Sequence, residues 1–499
     1  MSSSGTRVNT VDGVLRRSAA KFPDRLAVTF EGRSHTYREL DTAVTRAARR
    51  LRAMGLDKGD RVAAYGVNSD AYVVAFLACV RAGLVHVPIN YALVGEELQY
   101  LLEQSGARAV LVDPTLVPIL DSVRATLSIE HVVSLPDVLG TDGDSSDLDP
   151  AAESTDLAQL LYTSGTTSKP KGAMMSHGAL VAEYVSCVIA LGFTQDDDPL
   201  LVMPMYHSAG MHVFMLPYLS VGATVRLMRR PDVPEILRRI EEEKIKSLFL
   251  APTVWVPLAN HPDLETRDLS SLKKAQYGSS IMPVTVLTRL RERYPDIEFY
   301  NCFGQSEIGP LATVLQPAEH EARPASCGRA VFFVETRVVD ADCNDVPDGE
   351  PGEILYRSPQ LCDGYWDKPE ATADAFSDGW FHSGDLVTRN AEGFITVVDR
   401  IKDVINTGGI LVASREVEDA LYTHSAVAEV AVIGTPDDKW IEAVTAVVVL
   451  KAGQELSAEA LIDHVKGRIA PFKVPKTVTF VDELPRNQSG KLLKRALRG

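Results

Sequence analysis

The first half of the chain alternates between strand-like and helix-like spacings of apolar positions. Arg61–Tyr65 is a short β-rich run, Asp70–Arg81 repeats its apolar residues with helical period, and Val85–Ile89 is strand-like again, closed by Pro88 and Asn90. A second helical pattern, Glu96–Ser105, feeds the apolar run Ala109–Val112. Such alternation predicts βαβ units and a sheet with much parallel pairing, the mark of an α/β fold. The rhythm returns as a helix over Pro234–Glu243, a strand over Ser247–Leu250 and a helix over Val284–Tyr294. Gly140–Ser154, rich in Asp, Ser and Gly, predicts a loop or an interdomain crossing. Beyond Gly352 short β segments take over, at Glu353–Tyr356 and Phe394–Val398. After Lys402 comes a compact βα pattern, with a helix over Arg415–Tyr422 and strands over Val427–Ile433 and Ala443–Leu450. This change of pattern puts a domain boundary near Arg400–Asp403, dividing the chain into 1–401 and 402–499.

At 499 residues, two or more domains are expected. With 45% hydrophobic and 24% charged residues, the chain has the composition of a soluble globular protein. Its 51 basic and 67 acidic residues give a net charge of −16, which disfavours nucleic-acid partners and anionic membrane surfaces. The apolar runs, Ala71–Val80 among them, are shorter than the about 20 residues that cross a bilayer, so no membrane span is expected. From Pro471 onward the charge reverses: Lys473, Lys476, Arg486, Lys491, Lys494, Arg495 and Arg498 face only Asp482 and Glu483, a local balance of +5. A solvated tail and a mobile cationic patch that meets phosphates are both open readings. The six cysteines show no CxxC pair and no framework, which predicts reduced, mostly buried thiols and a cytoplasmic setting.

The run from Thr163 to Gly172 follows the apolar Leu160–Tyr162. Its consecutive hydroxyl and glycine residues, Thr163, Ser164, Gly165, Thr166 and Thr167, let backbone N–H groups approach an anion, and Lys171 adds charge. It is not the common P-loop, because no Gly-Lys-Ser/Thr follows Gly165 at the required spacing. This string resembles the signature of the adenylate-forming enzymes, which include acyl- and aryl-CoA synthetases, luciferases and peptide-synthetase adenylation domains. The resemblance extends in order through Pro204–His207, Phe303–Glu307, Gly352–Leu355, Ser383–Leu386, Asp399–Asp403 and Ser489–Lys491. Ser168 departs from the family's usual glycine, and Ser306 from its usual threonine.

The resemblance implies a large N-terminal domain of packed sheets with flanking helices, a small mobile C-terminal α/β domain, and an active site between them. It implies ATP, Mg²⁺ and coenzyme A as cosubstrates and cofactor, with a small-molecule carboxylic acid converted first to an acyl-AMP and then to a thioester. A homodimer is compatible with it. Glu307 would hold Mg²⁺, a hard cation that prefers carboxylate oxygen. Phe303 would stack on adenine, although plain core packing fits it as well. Gly278, Ser279 and Ser280 would lie against the base, and Gly304, Gln305 and Ser306 would complete that wall. Asp385 would accept the ribose hydroxyls with Arg400 beside it. Lys491 would bridge the acyl carboxylate and the α-phosphate, offsetting charge that builds only in the transition state. The small domain would then swing about Lys402, bringing Gly408 and Gly409 to the thiol tunnel. Arg81, Trp440, Phe472, Lys473 and Lys476 fall where CoA-ligase relatives contact the nucleotide of CoA.

For the acid, the stretch Tyr206–Phe214 carries no carboxylate, so an amino acid's ammonium would be left unpaired. His207 would lie beside the reacting carboxylate or gate the tunnel. Met211, Val213, Phe214, Trp255 and Met282 suggest an apolar, adaptable cavity, read first as one for a medium- or long-chain fatty acid and alternatively for an aryl or cinnamic acid. A carrier-protein thiol or another nucleophile as acceptor, and a catalytically degraded nucleotide-binding protein, are the competing readings.

Overall fold

The computed structural model describes residues 9–146, 148–149, 151–163, 169–280, 282–407, 410–437, 440–486 and 492–498. Among these, the strands form four sheets. The helix Asp70–Ala82 shows how the core is built. Ser69 caps its start by accepting from Tyr72 N at 3.1 Å, and Gly83 ends it in the left-handed region at φ +75°, open to glycine at little cost. All thirteen of its positions are buried, because it touches strands of two different sheets. A charged residue in such a helix must find partners inside the protein. Arg81 does so, with Asp12 at 2.6 Å, Asp41 at 2.5 Å and the Thr45 hydroxyl at 2.6 Å.

One of those sheets has six strands in the order His131–Ser134, Ala107–Val112, Arg61–Tyr65, Val85–Ile89, Leu157–Thr163 and Lys171–Ser176. All pair in parallel except the last, which returns antiparallel to Leu157–Thr163. The phosphate-loop motif therefore joins the two strands of a hairpin. A nine-stranded sheet has a parallel centre that includes Ser247–Leu250, Lys274–Gly278 and Glu298–Phe303, with antiparallel strands at both edges. Gly140–Ser154 runs between elements of the same six-stranded sheet, so it is a loop and not an interdomain crossing. Arg49 holds it by donating to Ser146 O at 2.8 Å, and Arg16 by donating to Leu148 O at 2.8 Å.

A third, antiparallel sheet covers 335–400. The fourth is built from Ile405–Thr407, Ile410–Val412, Ile441–Leu450, Val427–Asp437 and Thr477–Phe480, and has its own core around Val417, Leu421, Val432 and Val448. The pairing changes sheet between Arg400 and Ile405, across a short 3₁₀ turn, Ile401–Asp403. No helix among the described residues is long and apolar enough to cross a membrane.

The basic C-terminal stretch is largely tied down among its described residues, with Lys476 and Arg495 exposed. Lys473 donates to Glu416 at 2.6 Å, while Arg486 pairs with Glu429 and Lys494 with Glu418, each at 2.8 Å. Arg498 pairs with Asp403 at 3.0 Å. These cations fasten the tail to the helix Ser414–Tyr422, to the strand Val427–Asp437 and to the 3₁₀ turn.

Candidate active site

Parallel strands leave their carboxyl ends open to ligands, and the sequence motifs gather there. Gly278 ends its strand opposite Cys302, one residue before Phe303. A Cβ on Gly278 would stand 2.2 Å from Cys302 O, so the two strand ends approach only because this residue is glycine. Ser279 follows in the left-handed region at φ +65°, a strained conformation for a non-glycine residue. Beyond Phe303, Gly304 takes φ +156°, and a Cβ there would meet Pro310 O at 2.0 Å. The chain turns back on itself here, with Ala312 N donating to Phe303 O at 2.8 Å. Ser280 is exposed, and Phe303, Gln305 and Ser306 are half-buried.

Glu307 lies within this turn and is buried. Its Oε1 accepts from the Thr163 hydroxyl at 3.0 Å and from the Tyr365 hydroxyl at 3.0 Å. Thr163 is the last described residue before the phosphate loop, so this bond ties the start of that loop to the predicted metal-binding carboxylate. Burial pushes the Tyr365 phenol up from its ordinary range, which keeps it a neutral donor. Lys171 Nζ lies 5.0 Å from the centre of the same tyrosine ring. Tyr365 thus touches residues on both sides of the loop, and sequence reasoning missed it. Ser306 and Ser208 share a hydroxyl hydrogen bond at 2.8 Å, which joins the adenine turn to the Pro204–His207 segment. Asn68 fixes that segment from below, accepting from Met205 N at 2.8 Å and donating to Met203 O at 3.1 Å. His207 is half-buried, and its Nδ1 accepts from Ala209 N at 3.4 Å.

The predicted ribose pair also meets. Asp385 and Arg400 lie opposite each other on antiparallel strands, with Arg400 Nε 2.7 Å from Asp385 Oδ1. Arg400 donates to Ser383 O at 3.2 Å, and Gln305 Nε2 reaches the same carbonyl at 3.4 Å, linking this pair to the adenine turn. Ser164, Gly165, Thr166, Thr167, Gly408, Gly409 and Lys491 lie outside the described residues. Lys402 is exposed in the 3₁₀ turn.

Other expectations need correction. Arg81 cannot reach CoA, because its guanidinium is buried and wholly engaged with Asp12, Asp41 and Thr45. The five predicted acyl-pocket residues divide between two packed clusters. Met211, Val213 and Phe214 belong to one packed cluster, on the π-helical segment Ala209–Met215, and Trp255 and Met282 to another. Trp255 donates to Gln276 O at 3.0 Å as a core residue. Of the five, Phe214 lines a narrow apolar cleft with Met203, Gly210, Tyr218, Phe249 and Gln276. On the small lobe, Lys476 Nζ sits 5.6 Å from the Trp440 ring centre, while Phe472 packs against the C-terminal core and Lys473 is paired with Glu416.

Glu307 tied to Thr163, the Asp385–Arg400 pair and a C-terminal sheet with its own core thus stand at the positions of the sequence motifs. The profile of the AMP-binding enzyme family matches residues 15–366, and that of the AMP-binding enzyme C-terminal domain matches residues 416–491. The chain belongs to this family and is an AMP-forming acyl-CoA synthetase that uses ATP and CoA. It is 37% identical to a feruloyl-CoA synthase of an Amycolatopsis species, over 97% of each chain. It is 34% identical to the indoleacetate–CoA ligase of Aromatoleum aromaticum, over 97% of this chain and 96% of that one. Among solved structures, ATP-bound MatB from Rhodopseudomonas palustris superimposes with a TM-score of 0.91 at 31% identity, covering 99% of this chain and 98% of that one.

Proposed function

We propose that this synthetase activates an aryl or aryl-substituted carboxylic acid through an acyl-AMP held between residues 1–401 and 402–499. The Thr163–Glu307–Tyr365 cluster carries the adenylation part of this reading. A carboxylate is a poor electrophile until AMP replaces its oxide leaving group, and the negative charge then gathers at the α-phosphorus and on pyrophosphate. The work left to the protein is positional and electrostatic. The loop from Thr163 to Lys171 cradles the phosphates, and Asp385 with Arg400 orients the ribose. Phe303 and Gly278–Ser280 form the adenine wall, and Lys491 neutralises the reacting centre. Glu307, buried and steadied by two hydroxyls beside the phosphate loop, offers the hard oxygen that Mg²⁺ prefers. When bound there, the metal would supply charge neutralisation on the phosphate oxygens. Lys402 serves as hinge for the second half-reaction, in which Gly408, Gly409, Trp440 and Lys476 line the approach of CoA. Five of the six cysteines are buried free thiols, which suits a reducing, cytoplasmic setting.

The choice of acid rests on similarity to other CoA ligases. The relatives named for feruloyl and indoleacetyl groups support the same choice. A panel of cinnamic, benzoic, indoleacetic and fatty acids, scored for CoA-dependent AMP release, tests it. Aryl acids are expected to exceed octanoate and palmitate in kcat/KM by about tenfold or more. A palmitate preference would return the assignment to fatty acids, and turnover with a carrier protein but not with CoA would change the acceptor.

A further inference from the structure

The helix His177–Leu191 carries a carboxyl group with no exposure to solvent, Glu183. Burying such a group is costly unless its oxygens find donors. Two of the donors come from the far side of the adenine turn. Oε1 accepts from Leu311 N at 2.9 Å and from the Cys187 thiol at 3.3 Å, and Oε2 accepts from Gln360 Nε2. Gln360 Nε2 also donates to Ile308 O at 3.2 Å and Leu311 O at 3.1 Å, while the Ser186 hydroxyl donates to Gln360 Oε1 at 2.6 Å and fixes the amide. A Cβ on Gly309 would stand 2.9 Å from Glu183 Oε2, so the turn lies directly on the carboxyl group. Two residues past Gln360, Cys362 N donates to Glu307 O at 2.8 Å. The segment 307–311 is thus clamped between Glu183 on one side and residues 360–362 on the other.

We propose that Glu183 is a positioning residue of the nucleotide site. Through Leu311 and Gln360 it sets the turn that carries Glu307 and, through the Ala312–Phe303 hydrogen bond, the adenine wall. The inference rests on the adenylation reading above. A side chain that merely filled the core would affect folding alone. One that positions the turn affects the apparent affinity for ATP and the Mg²⁺ requirement while sparing the acid.

The test is acid-dependent ATP–pyrophosphate exchange by the full-length enzyme, with thermal unfolding measured in parallel. Glu183→Leu keeps the volume but leaves Leu311 N without its acceptor and cuts the tie from the helix to Gln360. It should raise the KM for ATP and the half-saturating Mg²⁺ concentration roughly tenfold, the effect of unpairing a buried donor, and change the KM for the acid less than about twofold. Glu183→Gln keeps a carbonyl oxygen for Leu311 N and should recover most of the loss. Ser186→Ala, which removes only the hydroxyl that orients Gln360, should give the same split at smaller size, and it decides the matter if Glu183→Leu does not fold. Wild-type constants for ATP and Mg²⁺ in the folded variants, with only the melting temperature lowered, would overturn the proposal. A wild-type enzyme with no exchange for any acid would overturn the adenylation reading itself, a result distinct from any contrast among variants.

Discussion

Tyr365 joins the two sides of the nucleotide cradle, its hydroxyl on Glu307 and its ring beneath Lys171. Removing only that hydroxyl in Tyr365→Phe should lower kcat/KM for ATP about tenfold in pyrophosphate exchange, as expected for a lost hydrogen bond to a carboxylate. An unchanged value would take Tyr365 out of the site. Arg81 calls for the opposite expectation. Arg81→Met would remove the pairs to Asp12 and Asp41, and because Arg16 still holds Asp12, and Asp41 reaches solvent, the cost should be about 2 kcal/mol. Denaturant unfolding reads that loss directly, and the KM for CoA should not move. The difference between these residues also marks what the sequence could reveal. Glu307, Asp385 and Arg400 each stand in a recognisable string, and Arg400 meets Asp385, whereas Tyr365 has no neighbour in sequence that hints at Glu307. Arg81 shows the converse. A lone arginine at the end of an apolar helix reads as surface, and only the three-dimensional packing reveals the two carboxylates waiting for it.

At the scale of elements, the apolar periodicities place the strands Arg61–Tyr65, Val85–Ile89 and Ser247–Leu250 and locate the five helices they predict to within a residue at each end. Local patterns of this kind carry no information on partners. The antiparallel return of Lys171–Ser176 beside Leu157–Thr163 depends on pairing that no single segment encodes. Two elements carry predictions. Burial pushes Glu183 in the helix His177–Leu191 up to about 8, so the folded state holds a proton that the unfolded chain releases. Stability from this group is complete below the ordinary carboxylate range and is lost as the pH climbs through about 8. The melting temperature of the wild type should therefore fall more between about pH 6 and about pH 9 than that of Glu183→Gln, and parallel curves would contradict this assignment. The helix Ser414–Tyr422 is docked across the 401–403 turn, because Asp399 Oδ2 accepts from Ser414 N and from the Ser414 hydroxyl, both at 2.7 Å. Asp399→Ala should loosen that docking and speed tryptic cleavage at Arg400 or Lys402. A digestion rate equal to the wild type's would show that the contact does not hold the lobes.

For the whole molecule, two lobes with separate cores meet at a short turn, and the C-terminal tail is fastened to both the small lobe and that turn through Lys494–Glu418 and Arg498–Asp403. The charge reversal near the C-terminus was legible in the sequence. Its meaning was not, because the acidic partners lie on Ser414–Tyr422, on Val427–Asp437 and in the turn. In the proposed function Lys491 acts from the small lobe on a cradle built by the large one, so the two half-reactions should separate genetically. The direct measurement assays them apart in Lys491→Ala, first acyl-AMP formation from acid and ATP, then thioester formation from supplied acyl-AMP and CoA. Loss of the first with retention of the second is the expected result. Equal loss of both, or retention of acyl-AMP formation, would contradict the claim that one ammonium on the small lobe drives adenylation alone.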